Sequence, residues 1–291
     1  MVQRAIGERH LVLMFDESLR LEEVVGQERL PRSIFYELRQ LMHNEPQISF
    51  IYSLATPVET LLPEFQEMFK DALTLHVTYF SSKVARALVT EPVGEFYELS
   101  DRAIRYLLDF TGNHPYFTQA FCETLFFHWK RQPLRQVTYT EILAVRNEAI
   151  DSTMNNLLYL WIEATIAEKF VLAAIAAMKP GPDIRALDRH LKQAGIYLNQ
   201  GHIKRALKGL YQREIIDSTT HPRIHLGMLR YWLRYAKSLR LVRGKFREYL
   251  PPVPLNGQSQ ISPALTVALT RPWVREPAGV SAASFADIIM A

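Results

Sequence analysis

The chain has 291 residues, enough for one large domain or two ordinary ones. Hydrophobic residues make up 48% and charged residues 22%, with 12 glycines and one cysteine, Cys122; this excludes a disordered, collagen-like or disulfide-stapled chain and fits a helix-rich protein of a reducing cytoplasm. The net charge of +4 conceals an asymmetry, because residues 1–178 hold 16 Lys/Arg against 23 Asp/Glu while residues 179–249 hold 16 against 5. Such a split points either to an anionic partner for the second block or to docking of the basic block on the acidic one. The apolar run 170–178 is too short to span a bilayer, and the N-terminus lacks an export signal, so no membrane partner is expected.

Residues 1–98 alternate short apolar runs with helical patterns. The runs at Leu11–Phe15, 49–53 and 73–77 read as buried parallel strands. Between the first two, the stretch 32–43 sets Ile34, Phe35, Leu38, Leu41 and Met42 on one helical face, which makes a strand–helix–strand unit. Residues 99–161 read as all helix. Ser100 caps a helix over 101–110, Gly112–Asn113–His114 breaks it, Pro115 opens a helix over 115–130, and a third starts at Thr140. Residues 162–249 give helices over 163–178 and 183–193, a turn at Gly195, and a helix over 202–213 capped by Asn199. Short strands at 214–217 and 223–226 then form a hairpin wing, and a last helix runs over 228–247. That order reads as a winged helix-turn-helix. Residues 250–291, with five prolines from Pro251 to Pro272, read as a flexible tail. The fold expected is thus an α/β partial parallel sheet, then a helical lid and a winged helix-turn-helix, mostly α overall.

The sharpest local signal is LVLMFDE, five apolar residues ending in Asp16 and Glu17. A buried strand delivers both acids at its carboxyl end, where α/β proteins bind ligands. In nucleotide hydrolases an Asp so placed holds Mg²⁺ and offsets phosphate charge, while the Glu polarises the attacking water as general base. The same residues also suit a solvated acidic turn. Ser53 ends the second run at the same edge, where its hydroxyl can bond the attacking water or the γ-phosphate, or simply cap the turn before Pro57.

The order of these parts resembles the STAND branch of the AAA+ ATPases, in particular AAA-like proteins with a C-terminal winged helix. The stretches that carry the resemblance are LVLMFDESLRLEE, SIFYELRQLMHNEPQISFIYSLA, KVARALVTEPV, AIRYLLDFTGNHPYFTQAFCETLFFHW, IKRALKGLYQREIID and RIHLGMLRYWLRY, spanning about Glu8 to Phe246. TGNHPYFTQAFC is the most specific, being similar to the family's TGGHPYxxQxxC segment. The resemblance implies ATP and Mg²⁺ as cofactors, with Asp16 on the metal, Glu17 and Ser53 in catalysis, and Asn113, His114 and Pro115 against the adenine. Asn113 stands where the family has glycine, a replacement suited to left-handed backbone.

The sequence departs from the family at one place. It holds no G-x-x-x-x-G-K-[ST] phosphate loop, so the amides and lysine that grip the β- and γ-phosphates are absent. By resemblance the chain begins about where the family's third strand begins, as the C-terminal portion of a longer ATPase would. It is expected to bind ATP weakly or not at all. The family's sheet order is 5-1-4-3-2, so the missing first strand leaves a gap between the second and third runs. Residues 1–98 are then expected to fold poorly alone, unless the third strand slides beside the second or the gap is filled by an upstream phosphate-loop segment or another copy of the chain.

In the basic block the helix over 202–213 would be the recognition helix, with Ile203, Leu207, Leu210 and Tyr211 as its buried stripe. Lys204, Arg205, Lys208 and Gln212 lie on its other faces, and Arg189 and Lys192 on the preceding helix, so that DNA is a candidate partner. A protein-docking surface, or an internal lid, fits the same pattern. The alternative to a signalling ATPase is therefore a DNA-binding or docking module on an inactive ATPase scaffold, or a truncated product without activity of its own. No zinc spacing occurs, and Cys122 reads as a core thiol.

Overall fold

A computed structural model describes residues 9–247. The chain divides into two compact units, one up to His76 and one from Val77. In the first, β1 (Leu11–Phe15) and β2 (Ile48–Tyr52) pair in parallel, with Leu11 opposite Ile48 and Phe15 opposite Tyr52. The crossover between them contains α1 (Leu19–Gly26) and α2 (Ser33–Asn44), and α3 (Pro63–Met68) follows. Val25, Phe35, Leu61, Phe65, Met68 and Phe69 form the core, with the Phe35 and Phe65 rings stacked at 4.7 Å.

Two expectations for this unit need correction. The strands are not buried on both faces. Side chains alternate across a sheet, and the face carrying Val12, Met14 and Ile51 is open, these residues being 51%, 75% and 51% exposed. The third strand is also absent. Residues 73–77 form no strand, and Leu73, Leu75 and Val77 are almost wholly exposed. A short strand is held by its ladder, and among the described residues this segment pairs with neither β1 nor β2. The sheet here is therefore two-stranded, neither complete nor closed by sliding.

The second unit is helical. It contains α4 (Ser82–Thr90), α5 (Asp101–Thr111), α6 (Pro115–Arg131), α7 (Tyr139–Ser152) and α8 (Met154–Ile162), then α9 (Ile166–Ala177), α10 (Ile184–Gln193), α11 (Gln200–Gln212), α12 (Gly227–Ala236) and α13 (Leu239–Lys245). A short parallel pair, β3 (Glu98–Leu99) with β4 (Gln136–Val137), ties the start of α5 to the start of α7. Caps set the helix starts: Ser100, Asp183 and Asn199 accept from the amides of Ala103, Ala186 and His202, and Thr138 and Thr165 form capping boxes with Glu141 and Glu168. One apolar cluster runs from Val89 to Phe246.

α9 is the centre of this unit. Every residue from Ile166 to Ala176 is buried, and α10, α11, α12 and α13 all pack against it. Two charges are buried on it. Glu168 pairs with Arg213 at 2.7 Å, and the Lys169 ammonium donates to the carbonyls of Ile162 (3.2 Å) and Ala164 (2.6 Å), where the C-terminal end of α8 favours a cation.

The basic block differs from expectation in three ways. The hairpin wing is reduced to one antiparallel bridge, Ile216 with Ile224. The last helix is split, because the chain turns extended at Ser238 between α12 and α13. Tyr211 is not in the buried stripe but 51% exposed, at the edge of the face that carries Ile203, Leu207 and Leu210. The expected flexible tail over 250–291 lies outside the described residues.

Candidate functional site

At the carboxyl ends of β1 and β2 the first unit brings together Asp16, Glu17 and Ser53. The amide of Ser53 donates to the carbonyl of Phe15 (2.9 Å) and the amide of Ser18 to that of Ser53 (3.0 Å), so the strand ends are cross-tied. The Ser53 hydroxyl donates to Asp16 Oδ1, and the Glu17 amide donates to the same oxygen at 2.9 Å. These bonds, the hydroxyl's first and the amide's second, hold the Asp16 carboxyl below the usual carboxylate range. Among the described residues no hydrogen bond reaches Asp16 Oδ2, and the side chain is exposed. An ionised carboxylate with one oxygen committed to the protein and one open suits Mg²⁺, which binds through one or two carboxylates and keeps several waters.

Glu17 stands at φ +49°, in the left-handed region that a non-glycine residue rarely adopts. Its amide is thereby turned toward both Asp16 Oδ1 and Ser53 Oγ (3.1 Å). Its carboxylate makes an exposed salt bridge to Arg20 at 2.8 Å. The three residues are thus one hydrogen-bonded cluster, with the Glu17 side chain engaged along α1.

Asn113, His114 and Pro115 form the turn from α5 to α6 in the second unit. Gly112 ends α5 at φ +60°, and Asn113 follows at φ +57°. The amides of Gly112 and Asn113 both bond the carbonyl of Leu108, a C-terminal cap that needs left-handed residues. A buried hydroxyl pair, Thr111 with Thr118 at 2.9 Å, fastens α5 to α6 across this turn. His114 stands at the N-cap position of α6 without a side-chain cap bond, and Pro115 is the helix's first residue.

His114 and Pro115 line a cavity of about 210 Å³, together with Tyr79, Arg213, Glu214 and Leu226. That is below the roughly 300–1,000 Å³ of pockets enclosing drug-sized ligands, so it is sized for a ring rather than for a whole nucleotide. His114 Nδ1 and Asn113 Oδ1 are buried without a hydrogen-bond partner among the described residues. Burial holds the His114 imidazole below its ordinary value, with the Glu214 carboxylate opposing. The His114 nitrogen leaves unused hydrogen-bonding capacity beside this mostly apolar cavity, whereas Asn113, expected against the same base, is not among the residues that line it.

Tyr79 and Glu214 are the residues that sequence reading misses. The Tyr79 ring stacks on His225 at 4.2 Å and meets His114 edge-on at 5.3 Å. Its hydroxyl donates to the Glu214 carbonyl at 3.0 Å, and the Thr78 hydroxyl lies 2.7 Å from the Glu214 carboxylate. Nothing local marks them, since Tyr79 follows the alternation Leu73, Leu75, Val77 and so reads as the end of a strand.

The basic residues divide. Lys204, Arg205 and Lys208 are exposed on α11, and Gln212 is half-buried at its end. On α10, Arg189 is exposed while Lys192 is paired with Asp188 at 2.7 Å. Cys122 is partly covered against the core, where burial pushes its thiol up to about 12, away from nucleophilic chemistry. Among the described residues no group of three or more His, Cys, Asp or Glu could hold a metal ion, and no helix is long and apolar enough to cross a membrane. The sequence matches no protein-family model, and no curated protein is significantly similar to it.

Proposed function

We propose that the chain carries two parts of the machinery of a STAND/AAA+-type signalling ATPase: a metal-and-water turn at Asp16, Glu17 and Ser53, and a base pocket at Asn113, His114 and Pro115. The observation that carries this reading is the cluster in which Ser53 and the Glu17 amide share one oxygen of Asp16. Mg²⁺ bound there would neutralise phosphate charge. Asp16 offers it Oδ2, Ser53 keeps the carboxylate ionised and oriented, and Glu17, released from Arg20, accepts a proton from water. The Nδ1 of His114, without a partner among the described residues, suits a hydrogen bond to a flat heteroaromatic base in the cavity that His114 and Pro115 line. The succession of α9, α10 and α11 with the bridge after them supports the winged-helix part of the reading.

Without a phosphate loop, hydrolysis by this chain is expected to be impaired. The test is therefore metal binding at the turn. Mn²⁺ used in place of Mg²⁺ is expected to broaden the amide resonances of Asp16, Glu17, Ser18 and Ser53, and Asp16→Asn to abolish the effect. Broadening elsewhere only, or the same broadening in Asp16→Asn, overturns the assignment.

A further inference from the structure

The outer face of α11 is a cationic stripe that makes no salt bridge among the described residues. Lys204, Arg205, Lys208 and Tyr211 are all exposed, and their spacing of three and four places them along one side of the helix. Ile203, Ala206, Leu207 and Leu210 are buried on the other side. The described carboxylates of the basic block are committed elsewhere: Asp183 caps α10, Asp188 pairs with Lys192, Glu214 is bonded to Thr78, and Asp217 pairs with Arg223. Arg213 of this block pairs with the buried Glu168 of α9.

Arg243 adds a cation at the turn that precedes α11. Its guanidinium lies over the turn between α10 and α11, where a Cβ on Gly195 would come within 2.8 Å of its Cζ atom. Gly195 stands at φ +74° and so suits the turn twice, by its backbone angle and by the room it leaves for Arg243.

We propose that this face binds duplex DNA, with α11 laid against a groove, Lys204, Arg205, Lys208 and Arg243 on phosphates, and Tyr211 facing the nucleic acid. From Lys204 to Tyr211 the stripe is about 10 Å long, and a helix fits the roughly 12 Å major groove. A membrane surface fits less well, since the stripe holds no large aliphatic side chain to insert. DNA binding at this face does not depend on nucleotide binding by the acidic turn.

The experiment is fluorescence anisotropy of a labelled 20-base-pair duplex with the full chain, over a series of salt concentrations. Three to four phosphate contacts predict a log–log salt slope of about −3 to −4 and roughly 40-fold or greater weakening from 50 to 200 mM salt. The triple variant Lys204→Glu/Arg205→Glu/Lys208→Glu is expected to lose at least tenfold in affinity and to flatten the slope. Lys83→Glu, an exposed charge change on α4, is expected to leave affinity nearly unchanged. Because the three side chains are exposed, the triple variant should melt like the parent. No binding at 50 mM salt, binding undiminished in the triple variant, or equal affinity for polyglutamate would each overturn the proposal.

Discussion

A Cβ atom on Gly227 would lie 2.7 Å from the carbonyl oxygen of Asp109, so the start of α12 crosses the end of α5 at backbone contact. Gly112 makes the reciprocal approach, where a Cβ would come within 2.6 Å of the His225 carbonyl oxygen. These two glycines fix the turn that carries Asn113, His114 and Pro115 against the segment that carries His225 and Leu226. Gly227→Ala is expected to destabilise the second unit by about 1–3 kcal/mol through overpacking. Gly112→Ala adds the left-handed penalty, about 1–2 kcal/mol more. Urea unfolding checks both; unchanged midpoints would refute the crossing.

The Ser53–Asp16 bond predicts a titration. In the parent chain the Asp16 carboxyl should titrate below an ordinary aspartate, and in Ser53→Ala it should move up toward one, because the first cause of its depression is removed. Carbon-detected NMR of the side-chain carboxyl reads this directly. An Asp16 that titrates identically in both chains contradicts the cluster.

Glu168 is buried beside Arg213, with its other oxygen on the Thr165 amide at 2.7 Å. Removing the guanidinium strands a buried carboxylate, which costs about 3 kcal/mol or more. Arg213→Met is therefore expected to lower stability by that order, and Glu168→Gln in the same chain to restore part of it. A double-mutant cycle with no coupling would show that the pair is not formed.

Two imidazoles set a pH dependence. Burial holds His114 below its ordinary value, and burial with the Arg205 charge does the same for His202. An unfolded chain binds these protons near pH 6.5, but the folded chain does not until lower pH. Their contribution is therefore complete above about pH 6.5 and is lost as pH falls from there toward the depressed folded values. Urea midpoints taken from pH 7.5 to 5 should fall, and His114→Gln should make the fall shallower. An equal fall in the variant would mean His114 titrates as an ordinary histidine.

What the sequence made legible was local. Ser100, Asp183 and Asn199 are caps because a short side chain can reach its own helix start, and the Gly112–Asn113 break and the Gly195 turn follow from backbone angles alone. The parallel pairing of the first two runs was legible too, from their apolar pattern and the helix between them. Residues 73–77 were not, since their alternation is strand-like while a strand also needs a neighbour, and pairing is a property of distant sequence. Tyr211 misled because its position lies near the edge of the apolar stripe, where a ring can face either way. At the candidate site, Asp16 and Ser53 could be read as sharing an edge, but the left-handed Glu17 that joins them, and the Tyr79–His225 stack beside His114, had no local signature.

The most direct test of the nucleotide assignment is an equilibrium titration of the full chain with a fluorescent ATP analogue, with and without Mg²⁺, in the parent and in Asp16→Asn. The account predicts weak binding, a dissociation constant on the order of millimolar or about 4 kcal/mol, present only with Mg²⁺ and lost in Asp16→Asn. Micromolar affinity that needs no Mg²⁺, or binding that is the same in Asp16→Asn, would contradict it.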